Sequence, residues 1–255
     1  MRLETRALTL AAGGRILCRD LSLGFNAAEN WAILGANGSG KTTLLHTLAG
    51  LRDPQAGSVL LDGVDIRSFP DRARALRIGL LFQDYPTTFP VTVLDTVLTG
   101  RHPHLGRFAS EGETDVRCAR DALAQVEMSP FETRLVPTLS GGERRRVEIA
   151  AVLAQDAPLC LWDEPTNHLD LRHQVQVLRR LVARAARPGH LNLFALHDIN
   201  AAARSCRHAL LLFPGGAWQA GPVREVLTCA ALERMYGCRF RETVVDGNER
   251  FYFPV

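Results

Sequence analysis

Lysine is all but missing from this chain. Of its 30 basic residues, 29 are arginine and one, Lys41, is lysine. A bias toward arginine accounts for the 29. It does not account for the exception, which asks for a place that fits a compact ammonium and not a planar guanidinium. Long apolar runs are also absent. None approaches the roughly 18 residues that cross a bilayer. A large excess of charge of one sign is absent too: the net charge is +3 and the basic residues are scattered, so no nucleic-acid partner is expected. The six cysteines show neither C-x-x-C nor zinc spacing and read as reduced thiols of a cytosolic protein. The N-terminus, MRLETRALTLAAGG, carries Glu4 and only a short apolar patch, which argues against a signal peptide. No period of roughly 20–50 residues repeats, so the chain is one unit and not a tandem. Its 255 residues, 46% of them hydrophobic, suffice to bury a core.

The chain is organised around Gly35, Ala36, Asn37, Gly38, Ser39, Gly40, Lys41, Thr42 and Thr43. An apolar run, Trp31 to Leu34, precedes this stretch and Leu44-Leu45-His46-Thr47-Leu48 follows it, which reads as strand, glycine loop, helix. The spacing fits G-x-x-x-x-G-K-[ST]. Glycines let successive backbone N–H groups turn inward around phosphate oxygens, and the helix aims its positive end at the same anion. Lys41 is expected on the β- and γ-phosphates, and the Thr42 hydroxyl on Mg²⁺. Read alone, the stretch could be a glycine-rich turn with an incidental lysine; the flanking pattern and the uniqueness of Lys41 argue otherwise.

Around it, residues 3–30 alternate weakly and break at Gly13-Gly14, which predicts antiparallel strands. Leu51 to Gly57 reads as loop and Val59 to Leu61 as a short strand. Ile78 to Phe82 reads as a buried strand ending at Gln83, before the proline-rich loop Asp84 to Pro90. Thr92 to Thr99 and Ser110 to Val126 read as helices. Between them, Gly100 to Phe108 reads as a solvated or partner-facing loop; its two histidines flank a proline and lack a third ligand. Ser140 and Glu143 in LSGGE make a capping box opening a helix through Leu153. Gly141 and Gly142 are costly in that first turn unless something approaches their N–H groups closely. Arg144 to Arg146 read as a solvated helix face offsetting Glu143. The apolar run Pro158 to Trp162 ends in Asp163-Glu164. Beside a phosphate loop these carboxylates suit the Mg²⁺ shell and an attacking water. Gln174 to Ala186 reads as helix. Leu191 to Leu196 is a strand ending at His197, where doubly wound sheets place ligands. Ala209 to Phe213 is a last core strand, and from Gly221 on a helix-and-strand appendix packs back through Phe251-Tyr252-Phe253.

With GANGSGKT, Gln83, LSGGE, LCLWDE and His197 in this order, the chain resembles an ATP-binding-cassette ATPase over essentially its whole length. TGRHPHLGRF, DEPTNHLDLRHQ and HDINAAARSC are similar to the branch that serves importers of iron–siderophores, haem and vitamin B12. The resemblance implies an α/β fold: a P-loop NTPase (RecA-like) core with an antiparallel β subdomain and an inserted α-helical subdomain. It implies one cassette, 1–255, with the core and β subdomain in 1–83 and 155–220, the helical subdomain in 84–154 and the appendix in 221–255. It implies a head-to-tail homodimer in which Ser140 and the N–H of Gly142 bind γ-phosphate in trans. Glu164 becomes the general base, His197 holds γ-phosphate and water, and Asp163 and Gln83 join Thr42 at Mg²⁺. Asp170 steadies the opposing site. The partners implied are integral membrane permease subunits, gripped by the helical region, and indirectly an extracytoplasmic substrate-binding protein. The place implied is peripheral, on the cytoplasmic face of the inner membrane.

One position departs from the pattern. An aromatic residue commonly stacks on adenine near position 12, and Ala12 stands there. Arg15 or Ile16 is left as the platform, so a weak preference for ATP over GTP is expected. Two other readings compete with a transport motor: an ATPase of non-transport role, such as iron–sulfur assembly, and a regulatory module with little hydrolysis. One cassette, no long coiled coil and an intact Glu164 weigh against them.

Overall fold

The computed structural model describes residues 1–83, 90–245 and 249–255. In chain order its elements begin with β1 (Arg2–Ala12), β2 (Arg15–Asn26), β3 (Asn30–Gly35), α1 (Lys41–Leu48), β4 (Ala56–Leu61) and β5 (Val64–Asp65). Then come α2 (Asp71–Ala75), β6 (Ile78–Leu81), α3 (Val93–Leu98), α4 (Glu113–Gln125), α5 (Gly141–Gln155), β7 (Leu159–Asp163) and α6 (Leu171–Ala183). The chain ends with β8 (Leu191–Ala195), α7 (Ile199–Ser205), β9 (His208–Leu212), β10 (Trp218–Pro222), α8 (Val223–Val226), α9 (Cys229–Tyr236), β11 (Phe240–Val245) and β12 (Glu249–Pro254). Two compact units result. One holds Met1–Ser68, Trp162–Glu164 and Val182–Val255; the other holds Phe69–Leu161 and Pro165–Leu181.

In the first unit, β1 and β2 form a hairpin about Gly13 and Gly14, both at positive φ (+55° and +78°), the pairing that a tight two-residue turn needs. The β-sheet order is β2-β1-β4-β5, all antiparallel, with Leu3, Leu8, Leu10, Leu21 and Phe25 fully buried. β4 begins at Ala56, inside the stretch expected as loop, because Ala56 already pairs with Thr9 of β1. A second sheet in this unit runs β10-β9-β3-β8, with β3 parallel to both β8 and β9. Every residue of β8 is buried, as are Trp31 to Gly35 of β3, which explains their largely apolar sequences. The end of β7 lies beside β8: Glu164 N donates to Ala195 O at 3.1 Å. Of the aromatic tail, Tyr252 packs back, its hydroxyl donating to Leu227 O at 2.7 Å. Phe253 is exposed instead.

In the second unit, α3, α4 and α5 pack together. Thr92 caps α3 in a capping box with Asp95. The proline-rich loop expected at Asp84 to Pro90 lies, up to residue 89, outside the described residues. Two expectations fail here and a third fails at one residue, each for a physical reason. Residues 100–108 are mostly exposed, as the expected solvated or partner-facing loop, with Thr99–His104 wound into a 3₁₀ turn; but Arg101 within it is buried, pairs with Asp115 at 3.0 Å and donates to Ala154 O at 2.8 Å. Arg145 and Arg146 are buried as well, where a solvated face was expected. Arg145 Nη1 donates to Phe82 O at 2.7 Å and pairs with Glu148; Arg146 Nη1 donates to Val126 O at 3.1 Å, at the carboxyl end of α4. Finally, α6 starts at Leu171 and not at Gln174, because Asp170 caps it: His173 N donates to Asp170 Oδ1 at 2.9 Å.

Candidate nucleotide site

The first unit carries a glycine loop at the carboxyl end of parallel strand β3, where α/β sheets bind ligands. Gly40 caps α1 at φ +102°, and a Cβ there would come within 2.9 Å of the Leu17 side chain. Only glycine suits that position, and no side chain caps the helix, so its first N–H groups are not taken by a capping residue. Lys41 is buried and its Nζ donates to Gly35 O at 2.8 Å and Ala36 O at 3.4 Å, folded along the loop. Burial pushes its ammonium below the ordinary lysine value, while Glu164 and Asp163 pull against that shift. Thr42 and Thr43 occupy the following positions of α1, half-buried. Ser39 Oγ is buried with no partner among the described residues. An orphaned hydroxyl, uncapped helix N–H groups and a buried ammonium are the donor set a polyphosphate requires. Ala36, Asn37 and Gly38 complete the turn, with Asn37 and Gly38 exposed.

Opposite charge stands close by. Asp163 is fully buried and Glu164 is 6% exposed, and both act electrostatically on Lys41. Glu164 sits in the left-handed region at φ +49°, uncommon for a side chain of its size and typical of functional turns. His197 Nε2 is hydrogen-bonded to Glu164 Oε1. Asp198 then caps α7, accepting from Asn200 N and Ala201 N at 2.8 Å and 3.0 Å. The hard oxygen donors Thr42 and Asp163 fit a Mg²⁺ ion. Behind the carboxylates, Trp162 Nε1 donates to Asn192 Oδ1 at 3.1 Å, and Asn192 Nδ2 to Asn30 Oδ1 at 2.9 Å. This buried relay fixes the strand end that carries Asp163. Sequence reasoning missed it, and missed Leu17 under Gly40; nothing in the local pattern of either strand marks them.

The second unit carries the other predicted residues. Ser140 is exposed, and the capping box is formed: Glu143 N donates to Ser140 Oγ at 3.3 Å and Ser140 N to Glu143 Oε2 at 2.8 Å. Gly141 and Gly142 open α5, and a Cβ on Gly142 would come within 2.9 Å of His168 O. One close approach to this turn is therefore made by the chain itself. Gln83 is exposed, its carbonyl 3.5 Å from Arg145 Nη1. Asp170 is exposed beyond its capping bond, and that bond to His173 holds its carboxyl below the usual range. Lys41, Asp163, Glu164 and His197 are thus gathered in one unit, while Gln83, Ser140, Gly141, Gly142 and Asp170 belong to the other.

A strand, glycine loop and helix with a carboxylate pair and a histidine at neighbouring strand ends define a nucleoside-triphosphate-binding protein. The family model described as "ABC transporter" matches residues 18–167, and the chain belongs to that family. It is an ABC-type ATPase with a P-loop NTPase fold, and ATP is the nucleotide it binds. It is 37% identical over 238 residues to the ferric enterobactin transport ATP-binding protein FepC of Escherichia coli, covering 93% of this chain and 88% of that protein. It is 38% identical to the hemin import ATP-binding protein HmuV of Myxococcus xanthus, covering 94% and 91%. It is 36% identical to the cobalamin import ATP-binding protein BtuD of Halobacterium salinarum, covering 94% of this chain and 60% of that longer protein. Among solved structures, a metal-chelate type ABC transporter in an inward-facing conformation matches with TM-score 0.85 at 28% identity, over 99% of this chain and 96% of that one. A dimeric ATP-binding cassette in a post-hydrolysis state, bound to ADP and Pi, matches with TM-score 0.77 at 27% identity, over 87% and 99%.

Proposed function

We propose that this chain is the ATP-hydrolysing subunit of a membrane importer for a metal chelate of the iron–siderophore, haem or cobalamin type. The observation that carries the reading is the grouping of Lys41, Asp163, Glu164 and His197 about one glycine loop. The relatives' printed roles supply the cargo class. Lys41 and the loop N–H groups would hold the phosphates. Thr42, Asp163 and Gln83 would hold Mg²⁺, whose chemistry is to neutralise charge developing on the transferred phosphoryl group. Glu164 would take a proton from the attacking water, with His197 orienting it through their shared hydrogen bond. Ser140, Gly141 and Gly142 of a second copy would close over the γ-phosphate, with Asp170 steadying the junction; the dimeric state of the solved cassette supports this arrangement.

Residues 84–154 would meet the permease, with 221–255 as an appendix, and an extracytoplasmic binding protein would deliver the chelate. Among the described residues no helix is long and apolar enough to cross a membrane, so attachment to the cytoplasmic face would run through the permease. The test is purification from the native membrane with an affinity tag on this chain. A polytopic membrane protein that co-purifies and stimulates hydrolysis is the expected result. Full hydrolysis with no such partner would favour a non-transport ATPase.

A further inference from the structure

The C-terminal hairpin is clamped to α7 by a two-way amide contact. Asn200 Nδ2 donates to Tyr252 O at 3.0 Å, and Tyr252 N donates to Asn200 Oδ1 at 2.8 Å. Beside this clamp lies a cavity of about 200 Å³ lined by Arg204 of α7, Arg224 of α8, and Glu249, Arg250 and Tyr252 of β12. None of these residues belongs to the nucleotide site. Three arginines and Glu249 line the cavity, and Glu242 pairs with one of those arginines, which leaves an excess of positive charge that favours an anion. Two of the three are already positioned by the chain. The Arg204 guanidinium lies 5.4 Å from the Phe251 ring centre. Arg250 Nε pairs with Glu242 at 3.3 Å and its Nη1 donates to Arg224 O at 3.3 Å. A guanidinium held in place in this way suits the oxygens of a phosphate group through its remaining N–H donors. The volume lies below the ~300 Å³ at which pockets for drug-sized ligands begin, which argues against a whole nucleoside triphosphate.

We propose that this cavity is a second anion site, which takes a small phosphate group, free or on a lipid headgroup, and ties α7, α8 and β12 together. Because α7 begins two residues after His197, the bound anion would also stiffen the element that follows that histidine.

The test separates this site from the phosphate loop by using full-length Lys41→Ala protein in Mg²⁺-free buffer. Calorimetric titration with pyrophosphate should still find one saturable site. Arg224→Gln added to that background should weaken it by about tenfold or more, and Arg224→Lys should restore part of the loss. Arg224 meets the hairpin through its backbone carbonyl, so its substitution leaves the clamp in place, and an unchanged melting temperature checks this. Pyrophosphate should also slow amide exchange at Tyr252. Vesicles containing phosphatidic acid form the second arm: binding there alone, lost with Arg224→Gln, supports the site with lipid as the source. The proposal is overturned if Lys41→Ala protein binds neither pyrophosphate nor vesicles, or if Arg224→Gln binds as tightly as its parent.

Discussion

Lys41 bears more than its share of function because no other side-chain amine exists in the chain. Lys41→Ala removes the ammonium that reaches for phosphate, and nucleotide affinity should fall by on the order of 100-fold, read by equilibrium binding of a fluorescent ATP analogue. Glu164→Gln is a different kind of loss. It keeps shape and hydrogen bonding but cannot accept the water's proton. Binding should persist while kcat falls by about 10²–10⁴. A kcat unchanged by that substitution would remove Glu164 from the base role. At the hairpin turn, where the resemblance implies the adenine would lie, Ala12 pairs with Arg15, and neither offers a broad aromatic face. ATP and GTP should compete within about tenfold of each other, less than ~1.4 kcal/mol of discrimination. A strong preference for ATP that vanishes in Arg15→Ala would instead make that guanidinium the platform.

The elements show where the sequence spoke clearly and where it did not. Glycine loops, capping boxes and strand ends are local, so the loop about Lys41, the Ser140–Glu143 box and the Asp163–Glu164 strand end were all legible. Arginine burial was not. Arg101, Arg145 and Arg146 are polar letters in stretches that read as loop or solvated face, yet each is buried against carbonyl oxygens far along the chain. Periodicity counts polarity and cannot see an acceptor 20 residues away, as Val126 is from Arg146. The same blindness hid Asn192 inside an apolar strand. Arg146→Met should therefore leave the Val126 carbonyl unpaired and cost about 1–3 kcal/mol of stability, measured by denaturant unfolding. The Ser140–Glu143 box makes a pH prediction. The Ser140 N–H bond lowers the Glu143 carboxyl below 4.5, so its stabilisation is present above that value and lost as pH falls through the folded-state value. The stability difference between wild type and Glu143→Gln should shrink as the solution is acidified below about pH 4.5.

For the whole molecule, the order of motifs was enough to place the chain in its family, since the phosphate loop, the LSGGE stretch and the carboxylate strand end are each short and sequence-local. Cargo is a different matter, because nothing in a phosphate cradle touches a chelate. The central claim is assembly: two copies closing over two nucleotides, each offering the Ser140 turn to its partner's phosphates. The most direct measurement is the mass of the Glu164→Gln protein by light scattering, with and without excess Mg-ATP and in the presence of its membrane partner. The account predicts that nucleotide joins two copies of this chain into a dimer which a further Ser140→Glu substitution disperses. Copies that remain apart in saturating Mg-ATP would contradict it.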